Sequence, residues 1–239
     1  MRSIGGLSGI GAPISEQIGG ESFIRHVGAD KAIYRFTDGS GNTVRDDSHN
    51  NNNGTLGAST ATPTWRRNSL YFDGGDYVDC GNNANLFTGT GDVSVSIGYK
   101  TTEMASGTFI IFLGDGDVGH SVYLYVESPT VLVFGIWGYN SASDTSPSML
   151  WEPLNDGIYH NIIGTKKGDI LSLYCDGKLQ DTHTFADLNI TAGRLILGGD
   201  LNGTATSKGT FNNARIFNKG LFQLECQQIY LTNKWRGNN

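Results

Sequence analysis

Beyond residue 30, hydrophobic and polar positions alternate with a period of two through most of this chain, in short runs broken by Gly, Asn, Asp and Ser. The runs KAIYRF, SLYFDG, YVDC, DVSVSIGYK, TFIIFLG, HSVYLYVES, VLVFGIWG, IYHNIIGTKK, ILSLYCDG, KLQDTHTF and RLILGG follow one another. That spacing predicts an antiparallel sandwich or barrel rather than βαβ units. In DVSVSIGYK, Val93, Val95, Ile97 and Tyr99 alternate with Ser94, Ser96 and Gly98, giving one buried face and one lightly covered face. VLVFGIW is apolar on both faces, which predicts a central strand or one beneath a long loop. Asp176-Gly177, set between two extended runs, is the strongest hairpin signal. Alternation in the last strand puts Phe211, Asn213, Arg215 and Phe217 on one side, and Asn212, Ala214, Ile216 and Asn218 on the other. After Gly220 the period changes. Leu221, Leu224, Leu231 and Trp235 then fall on one helical stripe, interrupted by Gln228, which predicts a short C-terminal helix.

Residues 1–30 lack this period and are Gly-rich, so they read as an N-terminal arm ahead of a single domain at 31–239. Ordering glycines is entropically costly, so an ordered arm needs compensating contacts. Ile4, Leu7, Ile10, Ile14, Ile18, Phe23 and Ile24 are too dispersed for a core of their own, and they predict an assembly contact. Composition agrees with a β protein: 34 Gly among 239 residues and only 17 % charged residues describe many turns and few ionic helices. A net charge of −6 without a Lys/Arg block argues against nucleic acid as partner. No apolar run approaches the roughly 20 residues needed to span a bilayer. Cys80, Cys175 and Cys226 each sit in an apolar or periodic segment, which predicts buried free thiols made in a reducing compartment.

Four separated pieces carry a family resemblance. They are YRFTDGSGNTVRDDSHNNNNGTLG, NSLYFDGGDYVDCGN, LSLYCDGKLQ following the strand IYHNI, and FNNARIFNKGLFQLECQQIY. In this order they resemble the laminin-G-like, concanavalin A-like lectin/glucanase superfamily over about residues 31–235. The resemblance implies an all-β, two-sheet antiparallel jelly-roll sandwich, with the short C-terminal helix covering part of it through Leu221, Leu224 and Leu231. It also implies a structural Ca²⁺ in the Asx-rich loop, where Asp46, Asp47, Asn50 and Asn53 offer the oxygen ligands that calcium requires. Asn212 and Asn213 stand where the family often has acidic residues, which weakens that site. GDGD at 114–117 is a second candidate.

Candidate chemistry is otherwise sparse. Glycoside hydrolysis needs two carboxylates facing one scissile bond, and the Glu-x-Asp-x-x-Glu strand motif of the superfamily's glucanases does not occur here. There is no Gly-x-Ser-x-Gly elbow, and the five histidines lack metal-ligand spacing. No catalytic residue is assigned, and a non-enzymatic protein is expected. Lectin sites combine aromatic platforms with a few fixed polar groups. Tyr123, Tyr125, Trp137, Tyr139, Asn140, Asp144 and Trp151, around the loop GYNSASDTSPS, form the candidate glycan contact, against the alternative that Trp137 and Trp151 are packing residues.

A Met start without a signal-like segment, reduced thiols and a Gly-rich arm before a lectin-like jelly-roll together predict a bacteriophage virion protein. It would be made in the host cytoplasm, decorate a head or form part of a tail, partner other virion proteins or identical subunits, and adhere weakly to host surface glycans. A free, extracellular carbohydrate-binding lectin module is the alternative, with a glycoside hydrolase behind it.

Overall fold

The computed structural model describes residues 30–82, 86, 91–115, 121–137, 148–150, 154–184 and 193–237. The arm residues Ile4, Leu7, Ile10, Ile14, Ile18, Phe23 and Ile24 lie outside these. In chain order the strands are β1 (Asp30–Tyr34), β2 (Thr43–Val44), β3 (Gly54–Leu56), β4 (Thr64–Arg66), β5 (Ser69–Asp73), β6 (Val78–Asn82), β7 (Val93–Lys100), β8 (Thr108–Gly114), β9 (Ser121–Ser128), β10 (Val131–Trp137), β11 (Ser148–Leu150), β12 (His160–Lys167), β13 (Ile170–Cys175), β14 (Lys178–Thr184), β15 (Arg194–Leu197) and β16 (Lys208–Phe217). Helix α1 (Gln223–Gly237) follows them. The first sheet has the order β14-β13-β12-β7-β16-β5-β4, with β1 also on β16, and the second has β11-β10-β9-β8-β15-β6-β3-β2. Pairing between these strands is antiparallel throughout. The expected jelly-roll sandwich is the fold.

The main core lies between the sheets. Val95, Ile97, Ile162 and Leu173 from the first meet Ile111, Leu124, Phe134 and Leu195 from the second, all buried. Gly164 lies so close beneath Phe134 that an added Cβ would stand 2.0 Å from the ring, so no larger residue fits there. β10 is apolar on both faces because Leu132, Phe134 and Ile136 join this core while Val131 and Val133 join a second cluster on the opposite face. Asp176 and Gly177 both have positive φ, 49° and 73°. That is the type I′ geometry which Asp-Gly favours between twisted strands.

Simple alternation fails in β16. Asn213 adopts φ 45° and the register to β7 shifts between Asn212 and Arg215. A bulge adds one residue and reverses the facing beyond it, so Phe211, Ala214 and Ile216 share the core. Phe217 instead joins the cluster on the outer face. Below the bulge β16 pairs with β5, above it with β1. There Arg215, its side chain only 5 % exposed, grips Asp30 bidentately at 2.7 Å. Asp30 is therefore the first residue of a sheet strand.

The helix forms as expected but turns a different face inward. Cys226 and Ile229, with Leu221 from the preceding turn, pack on Ile163, Tyr174 and Phe217. Leu224 and Leu231 are 64 % and 52 % exposed, so the expected cap of Leu221, Leu224 and Leu231 is corrected in two of its members. The reason is phase: Leu221 lies before the helix and does not share its periodicity. Glu225 accepts a hydrogen bond from the Phe222 N–H at 3.0 Å, one half of a capping box. Cys80, Cys175 and Cys226 are free and buried. Burial pushes the Cys80 and Cys226 thiols up to about 12 and the Cys175 thiol higher still. No helix among the described residues is long and apolar enough to cross a membrane.

Candidate functional site

The outer face of the second sheet carries a graded row of side chains. Pairing register aligns Gly135, Tyr123, Phe112, Ile196, Asp79, Thr55 and Thr43 on successive strands from β10 to β2. Residues opposite one another in a ladder project to the same face. The row is apolar and covered at one end: Tyr123 is 4 % exposed, and Phe109, Phe112, Val133 and Ile196 pack with it under Tyr77, Leu201 and Ala205. Tyr123 and Tyr125 meet edge to face at 6.0 Å, and Phe109 lies 4.8 Å from Tyr125. Towards β2 the row becomes polar and open, since Thr55 and Thr43 are exposed and Asp79 is half-buried.

Two charge pairs border the open end. Arg194 forms an ion pair with Asp79 through Nη2 and donates from Nη1 to the Leu201 carbonyl at 3.2 Å. The Gly81 N–H also donates to Asp79, at 2.8 Å. Hydrogen bonding to Asp79 raises the pKa of Arg194 above its usual value. Beyond Thr43 the face ends in a polar depression of about 330 Å³, lined by Asp38, Ser40, Gly41, Asn42, Thr43, Arg45 and Asn53. Asp38 anchors it by accepting the Arg45 N–H at 3.1 Å and forms the second ion pair with Arg45 Nε at 3.8 Å, at the surface, where the Arg45 side chain is 74 % exposed. Trp65 closes the flank by donating from its indole to the Gly41 carbonyl at 2.7 Å.

The Asx-rich loop below this depression is built around Asp46. One carboxylate oxygen accepts from the Ile33 and Ser48 N–H groups at 2.9 Å, and the other from the Ser48 hydroxyl at 2.7 Å and the Asn52 N–H at 2.9 Å. Asn53 accepts the Asp46 N–H at 2.8 Å, and Asn50 donates its side-chain amide to the Asp30 and Lys31 carbonyls at 3.2 Å. Asp47 turns to Arg35 at 3.3 Å. The four residues proposed as calcium ligands thus share a loop, but their side chains serve different partners, and the Asp46 oxygens face hydrogen-bond donors. Elsewhere, His160, Cys175 and Asp176 bring three metal-ligating atoms within 4.8 Å of one another.

Of the expected glycan contacts, Tyr123 and Tyr125 do lie together on one face, Tyr123 as a packed support. Trp137 ends β10 opposite Ser121. Tyr139, Asn140, Asp144 and Trp151 lie outside the described residues, as do Gly116 and Asp117 of the GDGD turn. Sequence reasoning missed Asp79, Arg194 and the depression around Arg45. YVDC carried a signal for the first of these, because alternation puts Asp79 opposite in facing to the core residues Val78 and Cys80.

The family model described as the Concanavalin A-like lectin/glucanases superfamily matches residues 72–227. No curated protein matches the chain in sequence. Among solved structures, domain 4 of AbnA, a GH43 extracellular arabinanase from Geobacillus stearothermophilus solved with arabinotriose, is similar with TM-score 0.67 and 18 % identity over 84 % of this chain and 98 % of that one. A Trypanosoma rangeli sialidase mutant displaying trans-sialidase activity gives 0.64 and 16 % over 87 % of this chain and 33 % of its own. The binding domain of botulinum neurotoxin DC, in complex with SialylT, gives 0.59 and 15 % over 85 % and 51 %. The chain thus spans a third of the sialidase and about half of the neurotoxin domain.

Proposed function

As the chain belongs to the concanavalin A-like lectin/glucanase superfamily, we propose that it is a carbohydrate-binding module that holds an oligosaccharide without cleaving it. The observation that carries this reading is the row from Tyr123 to Thr43, which passes from packed aromatics to a polar, open end bordered by Asp79–Arg194 and the Arg45 depression. Adjacent sugar hydroxyls donate well to a carboxylate and accept well from a guanidinium, and both stand side by side here. Tyr77 and Tyr125, half-buried beside the row, supply apolar surface for a sugar face. The solved relatives in complex with arabinotriose and with SialylT support this direction. Binding without hydrolysis is supported by the missing strand-acid motif and by the engagement of Asp79 and Asp38 with arginines.

The module's setting in this proposal is a phage head or tail, where it would touch host glycans. The Gly-rich segment ahead of the sandwich supports that setting. Screening the purified protein on a glycan array, with a reducing-sugar assay on each bound glycan, tests the reading: saturable binding with no sugar release is expected. Release that disappears when one carboxylate of this face is mutated makes the protein a hydrolase.

A further inference from the structure

The start of β12 and the hairpin joining β13 to β14 gather groups that the sugar-binding face does not use. His160 is buried, with Nδ1 3.0 Å from Asp176 Oδ2 and Nε2 3.3 Å from Asp156 Oδ1. A neutral imidazole carries one N–H, so one of these contacts opposes two lone pairs unless a cation, either a proton or a metal, lies between them. Cys175 completes the cluster: its Sγ, a His160 nitrogen and an Asp176 oxygen all lie within 4.8 Å of one another. We infer that His160 Nδ1, Cys175 Sγ and Asp176 Oδ2 form a binding site for a divalent transition metal of the zinc class.

The donor set suits that class, since zinc takes imidazole nitrogen, thiolate sulfur and carboxylate oxygen together. Bonds of about 2.1 Å put tetrahedral ligands about 3.4 Å apart, so the His160–Asp176 pair is already close enough and the thiol has to move by on the order of 1 Å. The surroundings resemble a supporting shell. Donation from Nε2–H to Asp156 leaves the Nδ1 lone pair for the metal, and the Asn161 N–H holds Asp176 Oδ1 at 2.8 Å. The Asp176 N–H returns a bond to the Asn161 carbonyl at 2.9 Å, so the turn carrying two ligands is fastened to the strand carrying the third. Cys175 is a free, buried thiol. Binding therefore replaces its S–H bond by an S–metal bond and releases the proton to solvent, as it does any second proton on His160, with no change of oxidation state. Asp176 is partly exposed, which leaves solvent water to fill the fourth position.

The test is to titrate untagged, reduced, metal-stripped full-length protein with Co²⁺. Saturation at one equivalent is expected, with a sulfur-to-cobalt charge-transfer absorption that Zn²⁺ abolishes by displacement. Cys175→Ser should lose that absorption, Cys80→Ser should keep it, and Asp176→Asn, which tolerates the positive φ, should weaken binding at least ~10-fold. The wild-type titration decides without any variant: no charge-transfer band overturns the site and leaves a proton between His160 and its carboxylates. A band that persists in Cys175→Ser also overturns it.

Discussion

At the scale of single residues, chemical type alone does not separate the two roles open to Asp46. As an acid in an Asx-rich loop it suggests a calcium ligand, whereas its four accepted hydrogen bonds make it the fastening between that loop and β1. Asp46→Ala strands four donors, and hydrogen bonds to charged groups are worth about 1.5–3 kcal/mol each before relaxation. A net loss of about 3 kcal/mol is expected, seen as a fall in Tm of roughly 6–12 °C for a chain of this size. Adding Ca²⁺ to metal-stripped wild type should leave the melt unchanged; a rise in Tm with Ca²⁺ that Asp46→Ala abolishes would assign the loop to the ion instead. The two tyrosines of β9 separate in the same way. Tyr123→Ala empties a packed position and should cost about 3–5 kcal/mol in a denaturant melt. Tyr125→Ala, at a half-buried position, should cost less and show itself mainly as weaker glycan retention. Equal losses of stability would place both rings in the packing.

At the scale of elements, existence was easier to read than facing. The strands, the Asp-Gly hairpin and the helix follow from period and turn chemistry, which are local. The inward face of α1 and the far half of β16 do not, because each depends on one irregularity: the non-helical turn at Leu221 and the bulge at Asn213. A sequence period carries no mark of an inserted residue whose only sign is a backbone dihedral. Ile229→Ala should therefore destabilise by about 2–5 kcal/mol, while Leu224→Gln should stay within about 0.5 kcal/mol of wild type. Paired urea melts check this, and the reverse order would restore the Leu224 stripe to the interior. The candidate site was half legible for a related reason. Tyr123 and Tyr125 share a strand and show by alternation, whereas Asp79 and Arg194 are 115 positions apart and meet only through the pairing of β6 with β15.

At the scale of the whole molecule, the sandwich closes through its first and last strands. The Asp30–Arg215 pair joins β1 to β16 where almost no water reaches the guanidinium, and removing one partner of such a pair costs about 3–5 kcal/mol. Deleting residues 1–28 keeps this pair, so the remainder should still melt cooperatively and close to wild type. Failure to fold would make the segment part of the domain itself. Oligosaccharide binding is proposed for the polar end of the second sheet's outer face, across strands from both ends of the chain. The most direct measurement is the affinity of one array-identified oligosaccharide for wild type, Arg45→Ala and Leu224→Gln by titration calorimetry. The Arg45 side chain is exposed, its 3.8 Å pair with Asp38 is a surface pair that contributes little to stability, and the Arg45 N–H bond to Asp38 survives its removal. Arg45→Ala should therefore melt like wild type yet bind at least ~10-fold more weakly, a loss of about 1.4 kcal/mol, with Leu224→Gln unchanged. Unaltered affinity in Arg45→Ala, or an equal loss in Leu224→Gln, would contradict the account.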